Sequence, residues 1–316
     1  SSMGHDVIAT DIDEKKVKNL NNNISPIYEE SLDSLLKYCN SKNKISFTTD
    51  IVSAIKDSEL ILNSDGSVYH LHLKPKDLAS TVITVGDPDR VDQVSAHFDT
   101  IDFRQHKREF KTHTGTLRNQ PITVISTGIG ADNIDIVLNE LDALVNIDFK
   151  SRQVKSELTS LRIVRIGTSG ALQNEIPVDS FLLSTHGLDL NGMLQAYKTQ
   201  SIQNKAFEQA FVKHSNWKKE RAQPVLVEGD KSTENQLISK NILKGITATC
   251  GGFYAPQGRK LRLTPSDSKF LKNLQNFTFE GFKITNFEME TSAIFGLSKL
   301  LGHQACSMNA ILANRT

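Results

Sequence analysis

The chain has 316 residues, with 37 Lys and Arg against 36 Asp and Glu, a balance that removes any global electrostatic case for nucleic acid or an anionic membrane as partner. At 38% hydrophobic and 23% charged residues it has the make-up of a globular protein, long enough for one large or two ordinary domains, and no apolar run approaches a membrane span. Cys39, Cys250 and Cys306 are odd in number, far apart and without metal-ligand spacing, and Ser1–His5 lacks the basic and apolar regions of a signal peptide, so no metal site and a cytoplasmic setting are expected.

The chain opens with a predicted strand over His5–Asp11 and a helix capped by Asp13 that runs to about Leu20. A second short helix carries Leu32, Leu35 and Leu36, a strand covers Ile45–Thr49, and Asp50 caps a helix to about Ile55. Three phrases within residues 4–62 carry a resemblance: Asp6-Val7-Ile8 running to Asp11-Ile12-Asp13, Asn22-Asn23-Ile24-Ser25-Pro26-Ile27-Tyr28-Glu29, and Phe47-Thr48-Thr49-Asp50. They resemble the NAD-binding part of the nucleotide-sugar (UDP-glucose type) dehydrogenases. The resemblance implies a ribose-binding role for Asp11, but no Gly-rich pyrophosphate turn precedes it, and a lone carboxylate does not hold a dinucleotide. Glu30-Ser31 also stand where that pattern has Pro-Gly. Residues 1–58 are therefore expected to be a partial Rossmann-like segment without dehydrogenase activity.

Ser58–Leu62 reads as a strand end and Asn63-Ser64-Asp65-Gly66-Ser67 as a turn, which puts the boundary near 58–63 and a second domain over 59–316. The strand Thr81–Thr84 leads into Val85-Gly86-Asp87-Pro88-Asp89-Arg90, where Gly86 allows a close turn, Pro88 suits a first helical turn and Arg90 projects from the helix. His106-Lys107-Arg108-Glu109 is a basic cluster. Ile122–Ser126 is a strand, and the helix after Thr127-Gly128-Ile129-Gly130 carries Ile134, Val137, Leu138, Leu141 and Leu144 on one face. Polar Lys150–Thr159 reads as a surface insertion.

The stretch Ile163-Val164-Arg165-Ile166-Gly167-Thr168-Ser169-Gly170-Ala171 places an arginine in an apolar strand and then Gly-Thr-Ser-Gly. On these residues alone two readings stand, an anion cradle at a strand end and an ordinary loop with a snorkelling arginine. Ser180–Ser184 continues the sheet with His186 just after it, and 196–245 reads as helical and polar, with Trp217 as surface packing. In Phe253-Tyr254-Ala255-Pro256-Gln257-Gly258-Arg259 the carboxamide and guanidinium suit the alternating carbonyls and N–H of a pyrimidine. Asn286-Phe287-Glu288-Met289-Glu290-Thr291 ends a strand and starts a helix, where Glu290 offers two acceptor oxygens to a vicinal diol.

These spaced motifs resemble the nucleoside phosphorylase family, closest to its uridine phosphorylase branch, over 59–316. The resemblance implies an α/β fold of three αβα layers around a mixed, curved central sheet. It implies phosphorolysis of pyrimidine nucleosides, with uridine and phosphate giving uracil and ribose 1-phosphate. Gly86, Arg90, Arg108, Arg165 and Thr168 would bind phosphate; His70, Ser169, Gly170, Phe253, Gln257, Arg259, Glu288, Met289 and Glu290 would line the nucleoside pocket. Arg165, Gln257 and Arg259 would carry the catalysis. No cofactor beyond phosphate is implied; some members hold a monovalent cation at the position of Glu109, but Asn133 replaces their serine and leaves that open. Arg108 and His70 would reach into a neighbour's site, implying homo-oligomers built from dimers and commonly hexameric. Members also continue past the last strand into a closing loop and helix, so the pattern implies truncation at both ends. Two other outcomes stay open: a catalytically impaired chimera or nucleoside-binding protein, and a nucleoside hydrolase on the same fold.

Overall fold

The computed structural model describes residues 7–50, 54, 60–237, 239 and 241–316. Its contacts divide into two compact units, Ser1–Lys74 with Asn146–Glu157, and Pro75–Val145 with Leu158–Thr316. In the first, β1 (Val7–Thr10) and β2 (Ile45–Thr48) pair in parallel, with α1 (Glu14–Asn21) and α2 (Leu32–Ser41) forming the crossover that parallel strands need. Asp13 caps α1 as expected, its carboxylate accepting from the amides of Lys15 and Lys16. Most of the helix expected after Asp50, and the start of the strand expected at Ser58, lie outside the described residues. The turn at Asn63–Ser67 is present: the Asn63 amide donates to Ser67 O, and Leu62 bridges Val68.

The second unit begins with β3 (Thr81–Val85) and turns at Gly86 into α3 (Pro88–Ser95). Pro88 occupies the first helical turn, and the Asp87 carboxylate accepts the Asp89 amide at 2.9 Å. An antiparallel meander of β4 (Thr100–Lys107), β5 (Phe110–Leu117) and β6 (Gln120–Ser126) joins β3 through β6. In α4 (Ala131–Asn146) the residues of the predicted stripe, Ile134, Val137, Leu138, Leu141 and Leu144, are all fully buried. The insertion that follows, which groups with the first unit, is largely exposed, as expected, and carries a short pairing of β7 (Ile147–Asp148) with β8 (Gln153–Val154).

The rest of the second unit is β9 (Arg162–Ala171), β10 (Phe181–Asp189), α5 (Lys205–Ser215), β11 (Val225–Glu228), α6 (Lys231–Leu237), β12 (Ile242–Thr249), α7 (Phe270–Asn276), β13 (Thr278–Phe279), β14 (Phe282–Glu288), α8 (Thr291–Leu301) and β15 (Gln304–Asn314). The 11-stranded mixed sheet runs β13-β14-β12-β10-β15-β9-β3-β6-β5-β4, with β11 on β10. The expected curvature goes as far as closure: β14 also pairs with β9, Phe287 opposite Gly170, so β9, β15, β10, β12 and β14 form a closed ring of strands. This is the α/β fold with a mixed, curved sheet that the motifs imply. Three local expectations are corrected. Of the two readings of Gly167–Gly170, the ordinary loop is not what forms: these residues continue β9, because β15 pairs alongside them, with a register shift at Leu312 between the partners of Ser169 and Gly170. β10 runs through His186 to Asp189, past the expected end at Ser184, since β12 pairs along its whole length and β11 replaces β15 on the other edge from His186 onward. The stretch 196–245 contains β11 between its helices and the start of β12 after them, and Trp217 packs partly buried against the core of Phe207, Phe211, Phe270 and Phe277 rather than lying on the surface.

Candidate active site

Strand alternation in β9 sends Arg165, Gly167 and Ser169 to the buried face and Ile166 and Thr168 to the exposed one. Arg165 is 7% exposed. Its Nη2 donates to Glu290 Oε2 at 2.6 Å and lies 3.0 Å from Glu288 Oε2, while Nη1 donates to Asn309 Oδ1 at 2.8 Å. Gly167 is what admits this guanidinium, because a Cβ there would sit 2.0 Å from Nη1. Burial opposes the Arg165 charge, but the two carboxylates outweigh it and push its pKa upward, so it stays charged. Burial also pushes the Glu288 carboxyl up, against the pull of Arg165.

Glu288 and Glu290 have distinct jobs. Glu288 accepts the amides of Glu290 and Thr291 and the Thr249 hydroxyl, so it caps the start of α8. Glu290 turns away from the helix, with Oε2 on Arg165 and Oε1 accepting the Gly130 amide at 2.7 Å. Each Glu290 oxygen keeps a second lone-pair direction, which leaves acceptor capacity for a ligand diol.

The edge of β9 explains why an anion fits here. β3 pairs with it only as far as Arg165, and β14 joins only at Gly170. Between these points no strand among the described residues covers that edge, and Arg90 hooks onto it, Nη1 to Ile166 O at 3.4 Å. Gly86 lies under the same guanidinium, where a Cβ would be 3.1 Å from Arg90 Nη2. Burial and the neighbouring Arg165 charge both lower the Arg90 pKa. Two neighbouring guanidiniums at an open strand edge, each raising the cost of the other's charge, form a place that an anion stabilises.

A second group gathers at the far end of β9. Gln257 is buried, and its Oε1 accepts from Arg259 Nη1 at 2.6 Å; the same Nη1 donates to Phe253 O at 2.6 Å. The Arg259 guanidinium stacks 3.8 Å over the Phe253 ring. Sequence reasoning missed Arg315, which donates from Nη1 to Gln257 O at 2.7 Å and packs on Gly170, and whose pKa is lowered by burial and then by Arg259. It also missed Asn286 and Asn309. No local signal marks any of these, because their partners lie on distant segments of the chain.

Gly130 and Met289 connect these groups to a cavity of about 1260 Å³ in the same unit, lined further by Cys250, Gly251, Gly252, Tyr197, Trp217, Arg221 and Phe270. Arg108 sits with φ +57° in the tight turn between β4 and β5. Next to it Glu109 and Asn133 meet around Gly128, where a Cβ would be 2.3 Å from Asn133 Nδ2 and 2.9 Å from Glu109 Cγ. His70 belongs to the first unit. Among the described residues no three metal-ligating side chains converge, and no helix is long and apolar enough to cross a membrane.

Residues 80–316 match the Phosphorylase superfamily, and residues 1–66 match the NAD binding domain of the UDP-glucose/GDP-mannose dehydrogenase family. The uridine phosphorylase of Thermococcus kodakarensis is 29% identical over 265 residues, covering 84% of this chain and 84% of its own length. That of Escherichia coli is 28% identical over 256 residues, covering 80% of this chain and 88% of the relative. In structure, a Trypanosoma brucei nucleoside phosphorylase described as showing uridine phosphorylase activity superposes with a TM-score of 0.72 at 30% identity, over 82% of this chain and 91% of that one. Together with the site geometry, the match over 80–316 means that the chain belongs to the phosphorylase superfamily.

Proposed function

We propose that the chain is a pentosyltransferase of the uridine phosphorylase type, converting uridine and inorganic phosphate to uracil and ribose 1-phosphate. The observation that carries this reading is the pair of guanidiniums, Arg90 and Arg165, at the uncovered edge of β9 beside the Glu290 carboxylate. Phosphate held there, with Gly86 and Thr168 at its rim, lies next to a diol acceptor. In the reaction a phosphate oxygen bonds to C1′ as the bond from C1′ to uracil N1 breaks, and the electron pair passes into the uracil ring. Gln257 and Arg259 meet that charge, Phe253 covers the base, and Ser169, Gly170 and Met289 line its surroundings. Positioning and electrostatics supply the rate, so no strong nucleophile is needed.

Glu288 supports Glu290 through the helix cap. Arg108 and His70 act on a neighbouring subunit's site, which makes the active form a homo-oligomer built from dimers. Residues 1–58 form a non-catalytic segment ahead of the phosphorylase domain, and the protein works in cytoplasmic nucleoside salvage. Replacing Gln257 with alanine should lower kcat for uridine by roughly 10²–10³-fold, the usual cost of one donor to developing charge. A panel of uridine, deoxyuridine, thymidine and inosine, each with and without phosphate, tests the substrate assignment. Cleavage in phosphate-free buffer would instead favour a hydrolase, and preference for inosine would remove the pyrimidine reading.

A further inference from the structure

Inside the closed ring of strands lies a line of fully buried neutral polar side chains that the reaction as described does not use: Asn309, Ser184, Thr247 and Asn286, from β15, β10, β12 and β14. Apolar residues there would avoid the cost of burying polar groups, so the groups must be satisfied by one another. They are. Arg165 Nη1 donates to Asn309 Oδ1 at 2.8 Å, and Asn309 Nδ2 donates to Ser184 Oγ at 3.1 Å. Ser184 Oγ meets Thr247 Oγ1 at 2.6 Å, Thr247 donates to Asn286 Oδ1 at 2.9 Å, and Asn286 Nδ2 donates to Ser169 Oγ at 2.9 Å.

Proton counting fixes the sense of this line. A guanidinium has donors only, so Asn309 must turn its oxygen to Arg165 and its amide hydrogens to Ser184. Thr247 spends its single proton on Asn286, so the proton between Ser184 and Thr247 comes from Ser184. Asn286, accepting through its oxygen, presents N–H to Ser169. Ser169 Oγ therefore receives a hydrogen bond from the interior, and its own proton is directed to an acceptor elsewhere. Every bond runs the same way, from the cation to the serine, and bonds aligned in this manner polarise one another.

We propose that Asn309 and Asn286 are positioning residues, one at each end of this relay: Asn309 fixes the plane of the Arg165 guanidinium for phosphate, and Asn286 holds the Ser169 hydroxyl as a donor toward a nucleoside acceptor. The inference rests on the proposed phosphorolysis. It assigns a function to Asn309 and Asn286, two buried side chains that the reaction as described leaves without one.

The test is steady-state kinetics of full-length variants whose thermal melts show a folded protein. Asn309→Leu, similar in volume and without polar atoms, should raise KM for phosphate about tenfold while KM for uridine stays within about twofold. Asn286→Asp puts a carboxylate against Ser169 and draws its proton inward, so KM for uridine should rise about tenfold with phosphate KM little changed. That defect should recede as pH falls and the new carboxyl gains a proton it can donate, a response that a merely structural role would not give. Thr247→Val, nearly isosteric, breaks the relay at its middle and should also raise uridine KM, which keeps the test open should the charged variant not fold. Adding Asn286→Asp to Ser169→Ala should change nothing further. Equal rises in both KM values, or none, in an active and folded N309L or T247V protein would overturn the relay alone. Absence of uracil release by the wild-type protein would overturn the functional reading instead.

Discussion

Arg165 can be buried only because Gly167 leaves room for its guanidinium and Glu290, Glu288 and Asn309 hold it. Gly167→Ala should therefore act on chemistry before it acts on the backbone, since a strand tolerates alanine but a Cβ 2.0 Å from Nη1 must displace the guanidinium. We expect phosphate KM to rise about tenfold or more, with a stability loss of about 1–3 kcal/mol seen by denaturant titration. Glu234 makes a second case. Its Oε1 is buried without a hydrogen-bond partner among the described residues, and burial raises the carboxyl to about 7. A carboxyl whose folded pKa exceeds its unfolded value binds its proton more tightly when folded, so it destabilises the protein as pH rises from the unfolded pKa through about 7. Glu234→Gln should thus gain on the order of 1–3 kcal/mol at pH 8 and almost nothing at pH 4, measured by urea unfolding at the two pH values.

At the level of elements, the strands and helices that local chemistry dictates were legible in the sequence. The α4 stripe is wholly buried, Asp13 caps its helix and Pro88 occupies a first helical turn, as the sequence predicts. Leu138→Ala in α4 should cost about 2–5 kcal/mol, since Leu138 is fully buried and its loss leaves a cavity; an equilibrium unfolding curve reads it directly. What the sequence could not reveal depended on pairing between distant segments. Gly167–Gly170 have loop composition, yet β15, more than a hundred residues later, pairs with them and keeps them extended. His186 falls inside β10 because β11 supplies a partner there. Glu288 was legible as a neighbour of the site but not as a helix cap, which needs the orientation of β14 against α8.

At the scale of the molecule, closure of the sheet is the feature that turns a list of motifs into a site. Joining β14 to β9 brings Glu290 to Arg165 and Asn286 to Ser169, across more than a hundred residues of chain. Arg165, Glu290, Gln257 and Arg259 were readable because each stands in a compact motif. Asn309 and Arg315 stand outside those motifs, and Asn286, though in one, shows no partner locally, because the partners of all three lie on distant segments that meet only in the fold. A homo-oligomer built from dimers should appear in size-exclusion chromatography with light scattering as a mass at an even multiple of the 35.1 kDa chain, and Arg108→Ala should lower phosphate affinity without dispersing it. The central claim is tested most directly by incubating the purified protein with uridine and inorganic phosphate and quantifying both products. We predict uracil and ribose 1-phosphate in equal amounts, with neither formed when phosphate is left out; uracil released with free ribose, or no cleavage by a folded oligomer, would contradict the account.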